Sequence, residues 1–440
     1  MRRTIEFIQS FCAVALLATA AACSQQVVHT DASAGDAGAD AAVAETAADS
    51  LGAPDQDAPV ADIAEVLDAP GDSLPAETAA ADTADTSDTP DTADTASAPE
   101  VTADAADAQA LGADDWPAQV FAPYVDASLY PVAKIADIAK ATGQKRYTLG
   151  FIVAADAKTC KATWGTYYSL EAGPDSWEGG AAYTLYGQIA ALRSQGGDIA
   201  VSFGGAASVP LHVACPDVAA LTAQYQAVVD KLALRRIDFD IEGSWLEDAK
   251  ATTRNSQAIA ALQSAAVAKG KPLGVWLTLP VLPSGLTAQG LAIVDDALAQ
   301  GVDLAGVNLM AMDYGDGAAP NPKGMMGSYA ISAVQATHAQ LAALWAKHKL
   351  PIAPAALWGK LGCTPMIGLN DVLTELFSLA DAKQVASFAS AQGLGLLSMW
   401  STNRDHPCPN SSQVQLNCSS DPGQKADFEF TAALQGAFGP

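Results

Sequence analysis

Basic residues are scarce, and over one long stretch they are missing altogether. Residues 24 to 116 contain 22 Asp and Glu and no Lys or Arg. The 440-residue chain carries a formal charge of −26. Without the −22 of this stretch and the +1 of residues 1 to 23, residues 117 to 440 carry −5. The acidity belongs to a segment and not to the chain at large. With no basic stripe anywhere, no nucleic-acid partner is expected. The stretch consists of Ala, Asp and Thr in runs such as ADTADTSDTPDTADTASAPE. It lacks the aliphatic and aromatic mass that offsets the entropy of ordering, so it is expected to be a disordered linker, extended by its like charges. Other absences bear on chemistry. No Gly-x-Ser-x-Gly occurs, which leaves a serine hydrolase unsupported. The first predicted strand is not followed by Gly-x-Gly-x-x-Gly, which argues against a dinucleotide-binding sheet. The five histidines (His29, His212, His338, His348 and His406) show no zinc-ligand spacing, so no metal and no cofactor are implied.

A long hydrophobic run is also lacking, and the apolar run near the N terminus is too short for a membrane span. MRRTIEFIQSFCAVALLATAAACSQQ opens on Arg2 and Arg3, continues apolar and ends in small residues, the order of an export signal. TAAAC, ending at Cys23, resembles a bacterial lipoprotein box, with Ala20 where Leu is usual. Residues 1 to 23 are therefore expected to be a signal peptide of lipoprotein type, with a lipid anchor at Cys23. The alternative is plain secretion. Residues 24 to 116 would then tether a domain spanning 117 to 440 away from a membrane. Exported chains can form disulfides. Cys408 with Cys418, across CPNSSQVQLNC, is the first expected pair and Cys160 with Cys215 the second, leaving Cys363 as a buried thiol.

From residue 117 the pattern changes to short apolar runs alternating with longer Ala- and Leu-rich stretches at helical spacing. Strands are predicted over 120–126, 147–154, 198–205, 236–243, 273–281, 306–315, 351–358 and 393–401. Eight strands, each followed by a helix or long loop, point to an α/β fold: a closed (β/α)8 TIM barrel behind the disordered acidic segment.

One strand stands out. LRRIDFDIEGSW, residues 234 to 245, places Asp238, Asp240 and Glu242 on one face and Ile237, Phe239 and Ile241 on the other. As a solvated edge this would be unremarked. On the inner wall of a barrel the three carboxylates are packed together and cannot all ionise freely, so at least one pKa rises. Glu242 lies at the strand's C-terminal end, where such barrels place their active sites. A carboxyl group kept protonated near neutral pH is a general acid, suited to a sugar linkage.

RRIDFDIE resembles the D-x-x-D-x-D-x-E motif of family 18 glycoside hydrolases, which are mostly chitinases, on their fourth strand. SFGG (202–205), MAMDYG (310–315) and SMWSTNRD (398–405) resemble that family's third-, sixth- and eighth-strand motifs, in the same order. The likeness is to the compact bacterial type without an inserted α+β domain. It departs at Arg235, which stands for the first Asp of the motif, and at Gly315, where Asp or Asn is usual after the tyrosine. The resemblance implies retaining, substrate-assisted cleavage of β-1,4-N-acetylglucosaminide bonds in chitin and chito-oligosaccharides. Glu242 would be the acid, Asp240 would hold the acetamido N–H, and Asp238 would share a proton with Asp240. Tyr314 would bind the acetamido oxygen, Trp400 would floor the site and Met312 would line it. Ser202, Gly204, Gly205 and Trp245 complete the expected substrate-binding set, with Gly204 and Gly205 allowing close backbone approach. Trp164, Tyr167, Tyr168 and Trp177 either stack on sugars or pack a long loop. An endo-β-N-acetylglucosaminidase acting on N-glycans, a peptidoglycan hydrolase and a non-catalytic carbohydrate-binding barrel stay open. The protein is expected to act as a monomer.

Overall fold

The computed structural model describes residues 116–175, 180, 183–408 and 412–438. The expected signal peptide, Cys23, residues 24–115 of the expected linker and Trp177 lie outside the described residues. The barrel wall starts with β1 (Val120–Phe121) and β2 (Tyr124–Asp126), two pieces of one stave interrupted at Ala122 and Pro123. It continues through β3 (Arg146–Asp156), which carries an antiparallel extension of β4 (Thr159–Trp164) and β5 (Tyr168–Ser169). Then come β6 (Asp198–Gly204), β7 (Arg236–Asp240), β8 (Gly274–Leu282) with its short partner β9 (Gly285–Leu286), and β10 (Leu304–Met310). β11 (Leu361–Thr364) is followed by the separate hairpin of β12 (Gly368–Leu369) and β13 (Leu376–Phe377), and β14 (Leu396–Leu397) is the last stave. Neighbouring staves are parallel throughout. β14 pairs with β1 and β2 pairs with β3, which closes the ring. This is the (β/α)8 barrel.

The surrounding helices start where short polar side chains can cap them. Thr184 caps α2 (Leu185–Ser194), Asp217 caps α4 (Val218–Leu232), Asp248 caps α5 (Ala249–Ala268) and Thr287 caps α6 (Ala288–Ala299). Ser378 and Asp381 form a reciprocal capping box on α9 (Leu379–Gln392). α1 (Ile135–Thr142), α3 (Leu211–Ala214), α7 (Met326–Lys347), α8 (Pro354–Leu357) and α10 (Glu429–Gln435) complete the set among the described residues. α10 is held by Asp405, whose carboxylate accepts from the backbone N–H groups of Phe430 and Thr431.

The alternation in β7 resolves as the barrel requires. Ile237, Phe239 and Ile241 join the outer core, where Phe239 stacks on Phe203 at 5.2 Å and meets the edge of Tyr225 at 5.1 Å. The opposite face points inward. At its bottom, Trp116, Val120, Ala122, Ala200, Trp276 and Leu396 make an apolar plug. Arg146 and Arg236 lie over the Trp116 ring, 5.7 and 4.8 Å from its centroid. The Trp116 indole N–H donates to Asp198 at 3.0 Å. The folded part therefore takes in Trp116, one residue before the expected boundary. Arg235 precedes β7 and is half-exposed, with the parity of outward-facing Ile237; the residue that occupies the inner floor is Arg236.

One predicted strand is wrong. Residues 351–358 hold α8 and the start of a 3-10 turn (Trp358–Lys360), and the seventh stave is β11. Pro354 at the first position of α8 suits a helix start and cannot donate to a ladder. Both expected disulfides are present, Cys160–Cys215 and Cys408–Cys418, and Cys363 is a free buried thiol.

If the plug closes the barrel floor, Trp116→Ala should cost about 3 kcal/mol or more. Denaturant unfolding followed by fluorescence checks this; a loss under about 1 kcal/mol would remove the plug from the account.

Candidate active site

Going up the inner face of β7 from the plug, the first acid is Asp238. It is buried and surrounded by hydroxyl donors from three other staves. Tyr124 of β2 and Ser202 of β6 donate to its Oδ2 at 2.7 and 2.6 Å, and Thr278 of β8 donates to its Oδ1 at 2.6 Å. Burial raises its pKa, and the three hydroxyls act against that rise. Asp240, two residues on, is buried as well and has no such ring of donors. Burial first, then the charges of Glu242 and Asp238, hold its carboxyl well above the usual carboxylate range. Its hydrogen bond is with Glu242, and its Oδ1 has no partner. Asp238 thus accepts from three hydroxyls, while Asp240 is raised by both of its acidic neighbours, Glu242 more than Asp238.

Glu242 sits just past the end of β7, partly buried, and burial lifts its pKa to about 7. The bond from Asp240 opposes the rise, while the nearby charges of Asp313 and Asp371 add to it. Behind those two acids stands Arg404, whose guanidinium donates to the carbonyls of Ile367 and Leu369 at 3.0 and 2.6 Å. Burial brings Arg404 down to about 10, against the pull of Asp371 and Asp313.

These groups open into a cavity of about 270 Å³. Asp240, Glu242, Thr278 and Tyr124 form its acidic side. Trp400 lies partly exposed with its ring stacked on Phe151 at 5.6 Å and tilted against Tyr124 at 6.1 Å. Met310, Met312 and Met366 add an apolar flank, and Val414 and Leu416 reach in from the segment tied by Cys408–Cys418.

Of the residues singled out in the sequence, Asp240, Glu242, Met312 and Trp400 line this cavity. Asp238 and Ser202 lie beneath it as a bonded pair. Gly204 and Gly205 also act from below. Both have positive φ, 108° and 86°, and a Cβ on Gly204 would stand 2.0 Å from the carbonyl oxygen of Asp240. Gly205 N–H donates to that same oxygen at 3.1 Å. The pair thus presses β6 against the backbone of the acid strand. Tyr314 does not stand where it was expected. Tyr314 is buried in the outer core beside Tyr329, and its hydroxyl has no partner. Trp245 packs half-buried on the core next to Glu242 and does not line the cavity. Trp164 is fully buried, with its indole N–H on the Tyr186 hydroxyl, while Tyr167 is exposed.

Tyr314 was misplaced because β10 ends at Met310 and Asp313 takes φ 51°, a left-handed turn that breaks strand parity. Asp313 therefore faces the cavity, and Tyr314 turns away from it. The acid expected after the tyrosine is found before it, and Gly315 donates instead to Glu375 at 2.8 Å. Asp313, Asp371, Arg404, Tyr124 and Thr278 were not identified from the sequence. Their convergence depends on loops and staves far apart in the chain. Local hints are confined to Asp313 inside MAMDYG and Arg404 inside the eighth-strand motif.

Over 296 residues the chain is 40% identical to a protein of Escherichia coli named probable bifunctional chitinase/lysozyme. It is 39% identical over 296 residues to endochitinase 11 of Metarhizium anisopliae. Each match takes in 66% of this chain, and it spans 31% of the first relative's length and 53% of the second's. The catalytic domain of a hyperthermophilic chitinase from Pyrococcus furiosus matches in structure with a TM-score of 0.62 at 28% identity. That match covers 74% of this chain and 97% of that one. Catalytic-site mutants of active domain 2 of the Pyrococcus furiosus chitinase, complexed with chito-oligosaccharides, give 0.61 at 27% identity, covering 72% and 94%. No family model matches the chain.

The raised acid has a consequence for stability. Glu242 binds its proton more tightly when folded (about 7) than at its ordinary value of 4.5, so its contribution to folding is lost as pH rises through that window. Glu242→Gln removes the ionisable group. Its melting temperature should exceed that of wild type at about pH 8, with the difference shrinking toward about pH 5. An equal difference at both pH values would contradict a raised Glu242.

Proposed function

The chain belongs to the family 18 glycoside hydrolases, the chitinase family, and from that membership we propose that it hydrolyses β-1,4-linked N-acetylglucosamine polymers by a retaining, substrate-assisted route. The observation that carries the reading is a carboxyl group held protonated near neutral pH at the mouth of the barrel, beside an aromatic floor. Glu242 protonates the glycosidic oxygen as the bond to the anomeric carbon breaks. A two-carboxylate retaining enzyme needs its nucleophile about 5 Å from the acid, across the sugar. Asp240 cannot serve, since it follows the same strand as Glu242 and is hydrogen-bonded to it. As the likeness to family 18 implies, the nucleophile is supplied by the substrate: the acetamido carbonyl oxygen attacks the anomeric carbon and gives an oxazolinium ion. Asp240 accepts from the acetamido N–H, and the carboxylate that Glu242 becomes on giving up its proton offsets the positive charge. Glu242, now ionised, takes a proton from the water that reopens the ring, so the configuration is retained. Trp400 supports the apolar face of the reacting sugar. Met312 and Asp313 take the place expected of Tyr314 beside the acetamido group.

The same proposal has the chain exported, with Cys23 lipidated and residues 24 to 116 as the tether, and has it act as a monomer. Two disulfides in the barrel domain suit an oxidising compartment.

With chitohexaose, Glu242→Gln should lose roughly 10²- to 10⁴-fold in rate, the usual worth of a general acid. Equal rates in both proteins would sink the assignment of the acid. High-mannose glycopeptide and peptidoglycan serve as comparison substrates, and preferential cleavage of either would redirect the substrate class. For the anchor, palmitate labelling of the expressed protein should vanish in Cys23→Ala; a label that survives excludes lipidation at that residue.

A further inference from the structure

The barrel interior holds more polar side chains than the acid chemistry itself uses. Asn308 of β10 is fully buried and lies outside the cavity lining. Thr364 of β11 donates to Asn308 Oδ1 at 2.9 Å, Asn308 Nδ2 donates to Thr278 Oγ1 at 3.0 Å, and Thr278 donates to Asp238 Oδ1 at 2.6 Å. Every bond points the same way, across neighbouring staves, toward one carboxylate. A relay of hydroxyls and an amide can run in either sense, and an anion at one end favours the sense in which donors face it. Thr278 has one proton and two oxygens within reach, those of Asp238 and of Tyr124 at 3.0 Å. The N–H of Asn308 occupies a further side of the Thr278 oxygen, so the proton is turned away from β10. Were the amide reversed, its oxygen would draw that proton off Asp238.

We propose that Asn308 and Thr364 are positioning residues that commit the Thr278 proton to Asp238, which keeps Asp238 an acceptor-only carboxylate and leaves Asp240 to carry the proton facing Glu242. The inference deepens the hydrolytic reading and rests on Glu242 being the acid. The titratable and charged groups around it are Tyr124 and Asp240 at Asp238, Glu242 and Asp238 at Asp240, and Asp240, Asp313 and Asp371 at Glu242, with Arg404 behind the last two.

Thr364→Val keeps the shape and deletes the hydroxyl, so Asn308 Oδ1 loses its donor and the relay loses the bond that polarises it toward Thr278. Thr364→Ser keeps the hydroxyl. With chitohexaose, Thr364→Val should lower kcat/KM about five- to tenfold, the worth of one buried hydrogen bond. It should also move the alkaline limb of the pH profile upward. Asp238 then competes for the proton, and a more anionic Asp240 keeps Glu242 protonated to higher pH. Thr364→Ser should recover both rate and limb. Thr364 itself lines the cavity, so a slower Thr364→Val with an unmoved limb would assign the residue to packing or substrate contact and overturn the proposal. Carboxyl ¹³C NMR of aspartate-labelled full-length protein tests it without turnover. The Asp238 signal should titrate at higher pH in Thr364→Val than in wild type or Thr364→Ser, and coincident titrations in all three would overturn the proposal. Should wild type cleave no substrate, the hydrolytic reading falls while the NMR comparison still decides the protonation claim.

Discussion

Three carboxylates on the inner face of one strand are tolerable only because each is paired in a different way. Hydroxyls from Tyr124, Ser202 and Thr278 match Asp238, Asp240 is pushed well above the usual carboxylate range, and Glu242 has its bond to Asp240 and its position at the rim. An isolated buried carboxylate would cost several kcal/mol, more than most domains can spare. The rest of the barrel is arranged around meeting that cost. On one side of β7 Ser202 stands level with Asp238, on the other Thr278 reaches back to it from the level of Asp240, and the glycines of β6 let the backbones close up there. Below them an apolar plug keeps water from the charged layer. The same pairing grades the three acids along the strand, from one that accepts protons from its neighbours to one that can give a proton away.

Much of this is legible in the chain because it depends on short-range pattern. The alternation of Ile237, Phe239 and Ile241 with the acids states which face is buried. The Cys408–Cys418 disulfide follows from chain proximity, while Cys160–Cys215 depends on which of three distant cysteines the fold brings together. Other features depend on more than local pattern. LGCT is too short to outweigh the more apolar PIAPAALW before it, so the seventh stave was placed ten residues early. Gly362 there lies against Asn308, where a Cβ would stand 2.7 Å from its Oδ1, a requirement visible only in three dimensions. In MAMDYG, parity counted along the strand carries past Met310, where the strand has already ended, and so exchanges the places of Asp313 and Tyr314.

The loops beyond β10 and β11 show how a site can be assembled from segments with no motif of their own. Asp313 Oδ1 accepts from Val372 N–H at 2.9 Å, and Glu375 accepts from Tyr314 and Gly315 N–H at 3.1 and 2.8 Å. Arg404 ties the eighth-strand segment to the carbonyls of Ile367 and Leu369. Backbone-directed bonds of this kind fix where Asp313, Asp371 and Arg404 stand while leaving little trace in residue spacing. They also bring a cation and two anions to one side of Glu242, so the acid's strength is set partly by groups that bear no relation to the strand motif.

The first stave has a meaning beyond architecture. Tyr124 stands on the piece that pairs with β3, and its N–H is held by Met399 O at 3.0 Å, just past β14. Its hydroxyl is one of the three that hold Asp238, 114 positions further along the chain. The seam of the ring and the charge state of Asp238 are therefore the same contact seen from two sides. An intermediate still open at that seam would leave Asp238 one donor short. The protonation of a single aspartate thus records whether the whole circle has closed.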